Sequence, residues 1–130
     1  MIDSITISSV RALRLLPGQA KSDQLNLELE DVVVKGASVN VYFVFSAIYR
    51  LHENGAVAGR LYIRGNAICH VQAESAKEID ERWIESMQLP VHFATEITDY
   101  LHFECESRGI LAAYAMGFPP PVPAFKLSTA

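Results

Sequence analysis

Apolar and polar residues alternate through the first half of the chain, and three- and four-residue spacing then takes over, so the sequence predicts strands followed by helices. Ile5 and Ile7, then Val10, Leu13 and Leu15, alternate with polar residues, but the phase changes around Ser8-Ser9 and again near Ala12. A long strand with a bulge explains that change better than a helix does, and Pro17-Gly18 ends it as a turn. Leu25, Leu27 and Leu29 alternate with Asn26, Glu28 and Glu30, the pattern of a strand with one wet face. Val32 to Val34 extend it as far as the break at Lys35-Gly36-Ala37.

From Ser38 to Leu51 the pattern is different. Val39, Val41, Phe43, Phe45 and Tyr49 fill one parity while Tyr42, Val44 and Ile48 fill the other, so this strand is apolar on both faces. Asn54-Gly55 is a strong hairpin signal and leads into a strand from about Ala56 to Val71. With those two residues as the loop, Ile48 meets Leu61, Ser46 meets Ile63 and Tyr42 meets Ala67, on a face that offers a seat for a helix. The opposite face then pairs Ala47 with Tyr62, Tyr49 with Arg60, Phe45 with Arg64 and Phe43 with Asn66, and is aromatic and cationic at once.

Two helices follow. Between Glu74 and Met87, Ile79, Trp83 and Met87 recur every four residues among Lys77, Glu78, Asp80, Glu81 and Arg82, which is a short amphipathic helix. A longer one is expected from Pro90, suited to a first turn because its missing N–H loses no bond, to Arg108, with Gly109 as the left-handed stop. Ala94, Ile97, Leu101 and Cys105 share one face of it, with Phe93 and Tyr100 at the edge, and His92, Glu96, Asp99, His102 and Glu106 occupy another. The segment from Phe118 to Phe125 contains Pro119, Pro120, Pro121 and Pro123 and must be extended.

Composition narrows the functional classes. A length of 130 residues, half of them hydrophobic, with no internal repeat or linker, fits a single domain over 1–130. A net charge of -4 argues against a nucleic-acid partner, which calls for a clustered basic face. No apolar run approaches a spanning helix, and Met1-Ile2-Asp3 lacks the basic start of a signal peptide, so no membrane insertion and a cytoplasmic location are expected. Cys69 and Cys105 fall on a strand and on the apolar face of the helix, where free cysteine behaves as a small hydrophobe. No CxxC or histidine cluster supplies a metal site, and the acidic-histidine face of the long helix, with no second helix carrying a matching set, reads as solvated.

Enzyme chemistry lacks its parts. Ser4, Ser8, Ser9 and Ser46 lie on strands without a nucleophile-elbow sequence, no glycines form a phosphate loop, and His52 and His70 have no evident acid partner. A non-enzymatic protein without cofactors is expected. The two-faced hairpin points instead to a binding role, since two helices cover one face of a four-stranded sheet and an apolar second face needs a partner.

The order of elements resembles the SecB family of export chaperones, with the likeness extending over nearly the whole chain. Its most telling piece is LPVHFATEITDYLHFECESRG, from Leu89 to Gly109, running into GFPPPVPAFKL: the family has a similar proline-led helix followed by a proline-containing segment. Gly65-Asn66-Ala67-Ile68 sits where the family has a comparable glycine-bearing strand end. The resemblance implies an α+β fold, a four-stranded antiparallel sheet with two C-terminal helices packed on one face. It also implies a homotetramer and a chaperone that holds unfolded polypeptide clients without ATP, for protein export. Carried onto this chain, the client-binding residues are Phe43, Phe45, Tyr62, Trp83, Phe118 and Phe125. Relatives devoted to export have a further C-terminal helix and tail that contact the SecA motor; this sequence stops at Lys126-Leu127-Ser128-Thr129-Ala130, which puts coupling to SecA in doubt. The other function the sequence leaves open is an interaction module dedicated to one partner, such as a toxin or antitoxin.

Overall fold

The structure, a computed structural model, describes residues 2–121. Strands β1 (Ile2–Arg14), β2 (Ala20–Lys35), β3 (Ser38–Leu51) and β4 (Val57–His70) form one antiparallel sheet in the order β1-β4-β3-β2. Helices α1 (Ala73–Ser86) and α2 (Val91–Ala115) follow and pack on one face of it, giving the expected α+β architecture. The phase change around Ser8-Ser9 is a bulge: the β1–β4 register shifts between Ile7 and Ser9, so Ile7 faces Gly65 and Ser9 faces Arg64.

The central hairpin differs from the expected register by one residue. Its loop is not the two-residue Asn54-Gly55 turn but spans residues 52–56. The Leu51 N–H donates to the Ala56 carbonyl at 2.9 Å, the Gly55 N–H to the Leu51 carbonyl at 3.0 Å, and the Asn54 side chain accepts from the Ala56 N–H at 2.9 Å. A bulge at Ala58 then separates the Arg50–Val57 pair from the Tyr49–Gly59 pair. Phe45 therefore faces Ile63, and Phe43 faces Gly65. Because side chains alternate with period two, this slip of one residue changes which side chains share a face.

The face that carries the helices consequently takes the odd-numbered residues of both central strands. Val39, Val41, Phe43, Phe45, Ala47 and Tyr49 of β3 are fully buried there with Leu61, Ile63, Ala67 and Cys69 of β4. Tyr42, Val44, Ser46 and Ile48 point to the open face, together with Arg60, Tyr62, Arg64 and Asn66.

In α1 the buried side is Ala76, Ile79 and Trp83, and Met87 closes the helix in a left-handed conformation, donating its N–H to the Trp83 carbonyl. Helix α2 does not stop at Gly109; it continues to Ala115. Its buried positions are Phe93, Ile97, Leu101, Cys105, Gly109 and Ala113, an unbroken four-residue row, with Glu106 beside it. Such a row drifts by roughly 40° per step at 3.6 residues per turn, so the buried side winds around the helix along its length. Gly109 is a packing residue: a Cβ there would stand 3.0 Å from Leu61 Cδ2 and 2.8 Å from Pro121 Cγ. The stop lies eight residues on, at Gly117, whose φ of 76° allows its N–H to reach the Tyr114 carbonyl at 2.9 Å while the Phe118 N–H reaches that of Ala113 at 2.9 Å. This paired closure satisfies the last carbonyls of α2 and turns the chain back onto the sheet.

Candidate functional site

The corrected register separates the aromatic residues picked from the sequence. Phe43 and Phe45 do not share a surface with Tyr62; they are sealed beneath the helices, and His102 of α2 stands edge-on to Phe45 with ring centroids 6.0 Å apart. Tyr62 lies on the open face, 38% exposed, with Arg64 two residues along the same strand. Trp83 is turned inward from α1 and forms part of a surface groove. Phe118 is buried against Tyr49, and Phe125 lies outside the described residues.

Three water-facing surfaces among the described residues suit binding. The first is a groove of about 480 Å³ where the end of α1 meets the start of α2, lined by apolar residues, Leu29 of β2 with Trp83, Met87, Leu89, Val91 and Ala94, and by the polar Gln88, Thr95 and Thr98. It exists because the α1–α2 link is only residues 87–90: the left-handed Met87 and the extended Pro90 turn the chain sharply and leave a cleft over Leu29. The second is the outer side of α2, where Phe103, Ile110 and Tyr114 stand in water at 66, 46 and 80% exposure. Residues three, four, seven and eleven apart share a helical side, so these three form one stripe. The sequence reading missed it because it ended the helix at Arg108; the run Ile110-Leu111-Ala112-Ala113-Tyr114-Ala115, with no helix breaker, was the signal. The third is a hollow of about 470 Å³ on the open face between β1, β4 and β3, lined by Ser9, Arg11, Leu13, Val44, Tyr62 and Arg64 among others.

Arg14 anchors the end of α2. Its Nε donates to the Leu16 carbonyl at 3.1 Å, Nη2 to that of Gly18 at 2.7 Å and Nη1 to that of Met116, and its guanidinium lies 4.6 Å from the centre of the Phe118 ring. The β1–β2 turn, the edge strand and the residues after α2 are thereby tied into one unit.

Among the described residues the titratable groups lie on separate parts of the fold. Burial pushes the Cys69 thiol up to about 11 and that of Cys105 to about 12, which keeps both neutral and unreactive. His70 does have an acid partner, Asp3, brought alongside by the β1–β4 pairing at the open edge of the sheet. On α2, His92 lies 3.6 Å from Glu96 and is well exposed, whereas Glu106 is buried, so the acidic-histidine face is wet only in part. Among the described residues no three His, Cys, Asp or Glu side chains group as metal ligands, and no helix is long and apolar enough to cross a membrane.

No protein-family model matches the chain, and no curated protein matches it significantly. Its fold does match solved structures. The SecB-like chaperone Rv1957 of Mycobacterium tuberculosis, solved in complex with a ChAD peptide from the Rv1956 HigA1 antitoxin, superposes with a TM-score of 0.67 at 12% identity, over 92% of this chain and 85% of that one. The four-stranded antiparallel sheet with two C-terminal helices is thus a SecB-like fold.

Proposed function

We propose that this chain is a cytoplasmic, ATP-independent chaperone that holds unfolded or extended polypeptides, working as a single-domain protomer of a homotetramer. The observation that carries the reading is the groove at Trp83, open to water and walled by apolar side chains from three elements with Gln88, Thr95 and Thr98 among them. An extended chain laid there would bury leucine- and tryptophan-sized surfaces worth about 1.5–3 kcal/mol for each side chain fully removed from water. Tyr62 on the open face is the second contact of this kind. Phe43, Phe45 and Phe118 support the sheet and the end of α2 from within and meet a client only if the helices part. The stripe of Phe103, Ile110 and Tyr114 is the assembly contact, since large apolar side chains gathered in water on one helical side are normally covered by a partner.

The solved SecB-like neighbour holds a peptide, which supports peptide capture here, and because that peptide comes from an antitoxin it also favours a second reading, a module dedicated to one partner. The two differ in breadth. A general holdase suppresses aggregation of several unrelated denatured proteins with or without ATP, and a dedicated module suppresses none but co-purifies from its native host with one protein. In the export form of the first reading the client passes to SecA, which a pull-down with purified SecA tests. Failure of both aggregation suppression and partner capture would overturn the proposal.

A further inference from the structure

The lining of the open-face hollow holds two arginines, Arg11 and Arg64, and no carboxylate. Arg11 faces Tyr62 across the β1–β4 pair, Ser9 faces Arg64 and Leu13 faces Arg60, so Arg11 and Arg64 line the hollow with the exposed Tyr62, and Arg60 lies two residues from Tyr62 outside the lining. The chain as a whole carries -4, yet among the described residues Arg11 and Arg60 make no ion pair. Only Arg64 does, through Nε to Glu30 Oε1 at 3.2 Å, on a side chain that is 59% exposed. Like charges on one side of the sheet repel one another, and an anion placed between Arg11 and Arg64 relieves that repulsion. Apart from Ser9, the remaining lining is apolar or aromatic: Ala12, Val44 from β3, Leu13 at 53% exposure, and Tyr62.

We infer that this hollow binds an acidic peptide segment, a carboxylate held by Arg11 and Arg64 with a neighbouring apolar side chain on Tyr62, Leu13 and Val44. Guanidinium groups pair carboxylates bidentately, and Arg64 needs only its two terminal nitrogens to do so while Glu30 keeps its Nε. Peptide is favoured over nucleic acid because half of the lining is aliphatic or aromatic side chain, which offers an apolar seat beside the charge. The inference rests on the polypeptide-binding reading for its class of ligand and adds a preference to it.

The test is fluorescence anisotropy with a labelled short peptide of alternating Glu, Leu and Ser and with its counterpart carrying Gln for every Glu. At low salt the Glu peptide should bind about tenfold more tightly, a difference that salt removes. Arg11→Ala with Arg64→Ala should abolish the preference with the circular dichroism spectrum unchanged, and Glu30→Gln should strengthen it by freeing Arg64 completely. Equal binding of the two peptides, a preference that survives the double arginine variant, or tighter binding of a labelled single-stranded oligonucleotide would each overturn the inference. Aggregation suppression separates it from the holdase reading: if the wild type suppresses nothing but keeps the Glu preference, the holdase falls and the acidic-peptide site stands.

Discussion

The ring of Phe118 stacks on that of Tyr49 with centroids 4.5 Å apart and planes 16° from parallel, and the Tyr49 hydroxyl donates to the Pro119 carbonyl at 3.0 Å. One strand of the central hairpin thus holds the chain where it leaves α2, and Arg14 holds it from β1. Phe118→Ala should cost about 3–5 kcal/mol, as for other buried aromatic truncations. Tyr49→Phe, which keeps the stack and loses the hydrogen bond, should cost about 1 kcal/mol. Gly59→Ala is the third arm: its Cβ would meet Phe118 Cε2 at 2.5 Å and the Leu13 carbonyl oxygen at 2.6 Å, so it should also destabilise. Urea unfolding measures all three, and a Phe118→Ala variant as stable as the wild type would remove the clamp from the account.

The hairpin register predicts opposite outcomes for two aromatic residues. Phe45→Ser opens a cavity and strands a hydroxyl among fully buried residues, so it should destabilise by about 3 kcal/mol or more. Tyr62→Ser lies on the open face and should change stability by less than about 1 kcal/mol while weakening client binding. Equal destabilisation by the two would mean that they share a face after all.

On α2, Ile97→Asp or Leu101→Asp should abolish folding, because each places an unpaired carboxylate against the fully buried sheet face at a cost of several kcal/mol. Glu96→Ala with Asp99→Ala should be mild, since neither residue is buried. Thermal melts of the three variants decide it, and unfolding of the double alanine protein is the adverse result.

Assembly should depend on the outer stripe of the same helix. Phe103→Glu with Tyr114→Glu should lower the mass seen by light scattering while the far-ultraviolet spectrum stays unchanged, because both side chains are already in water in the protomer. A wild type that is monomeric across micromolar concentrations would leave the stripe without this role.

The two thiols predict a pH limit on stability. Burial raises Cys69 and Cys105 from 9.0 to about 11 and about 12, so the folded state keeps both protons where the unfolded chain has released them. A group whose folded pKa is raised leaves stability intact below the unfolded value, and stability is then lost as pH climbs from about 9 toward the folded values. Urea midpoints should therefore be flat with respect to these groups below pH 9 and fall above it. Replacing both cysteines by Ala should remove this part of the decline. A thiol reagent at neutral pH should label neither cysteine until the protein unfolds.

Element type and order are legible in the spacing of apolar residues because strand and helix periods, two and 3.6, are properties of the local backbone. Leu25, Leu27 and Leu29 place β2, the Ser8-Ser9 phase change marks the bulge in β1, and Ile79 with Trp83 places α1. The register of the central hairpin is not local. Asn54-Gly55 signals a turn, but the loop over 52–56 and the bulge at Ala58 set the pairing, and they put Phe43 and Phe45 under the helices and Tyr62 on the other side. Gly109 looks like a helix stop by itself, yet it lies inside the helix, where Leu61 and Pro121 take the space a side chain would occupy. Candidate site residues depend on that level: a Phe is core or binding surface according to the face it is given, and the face follows from which backbone groups pair across the sheet.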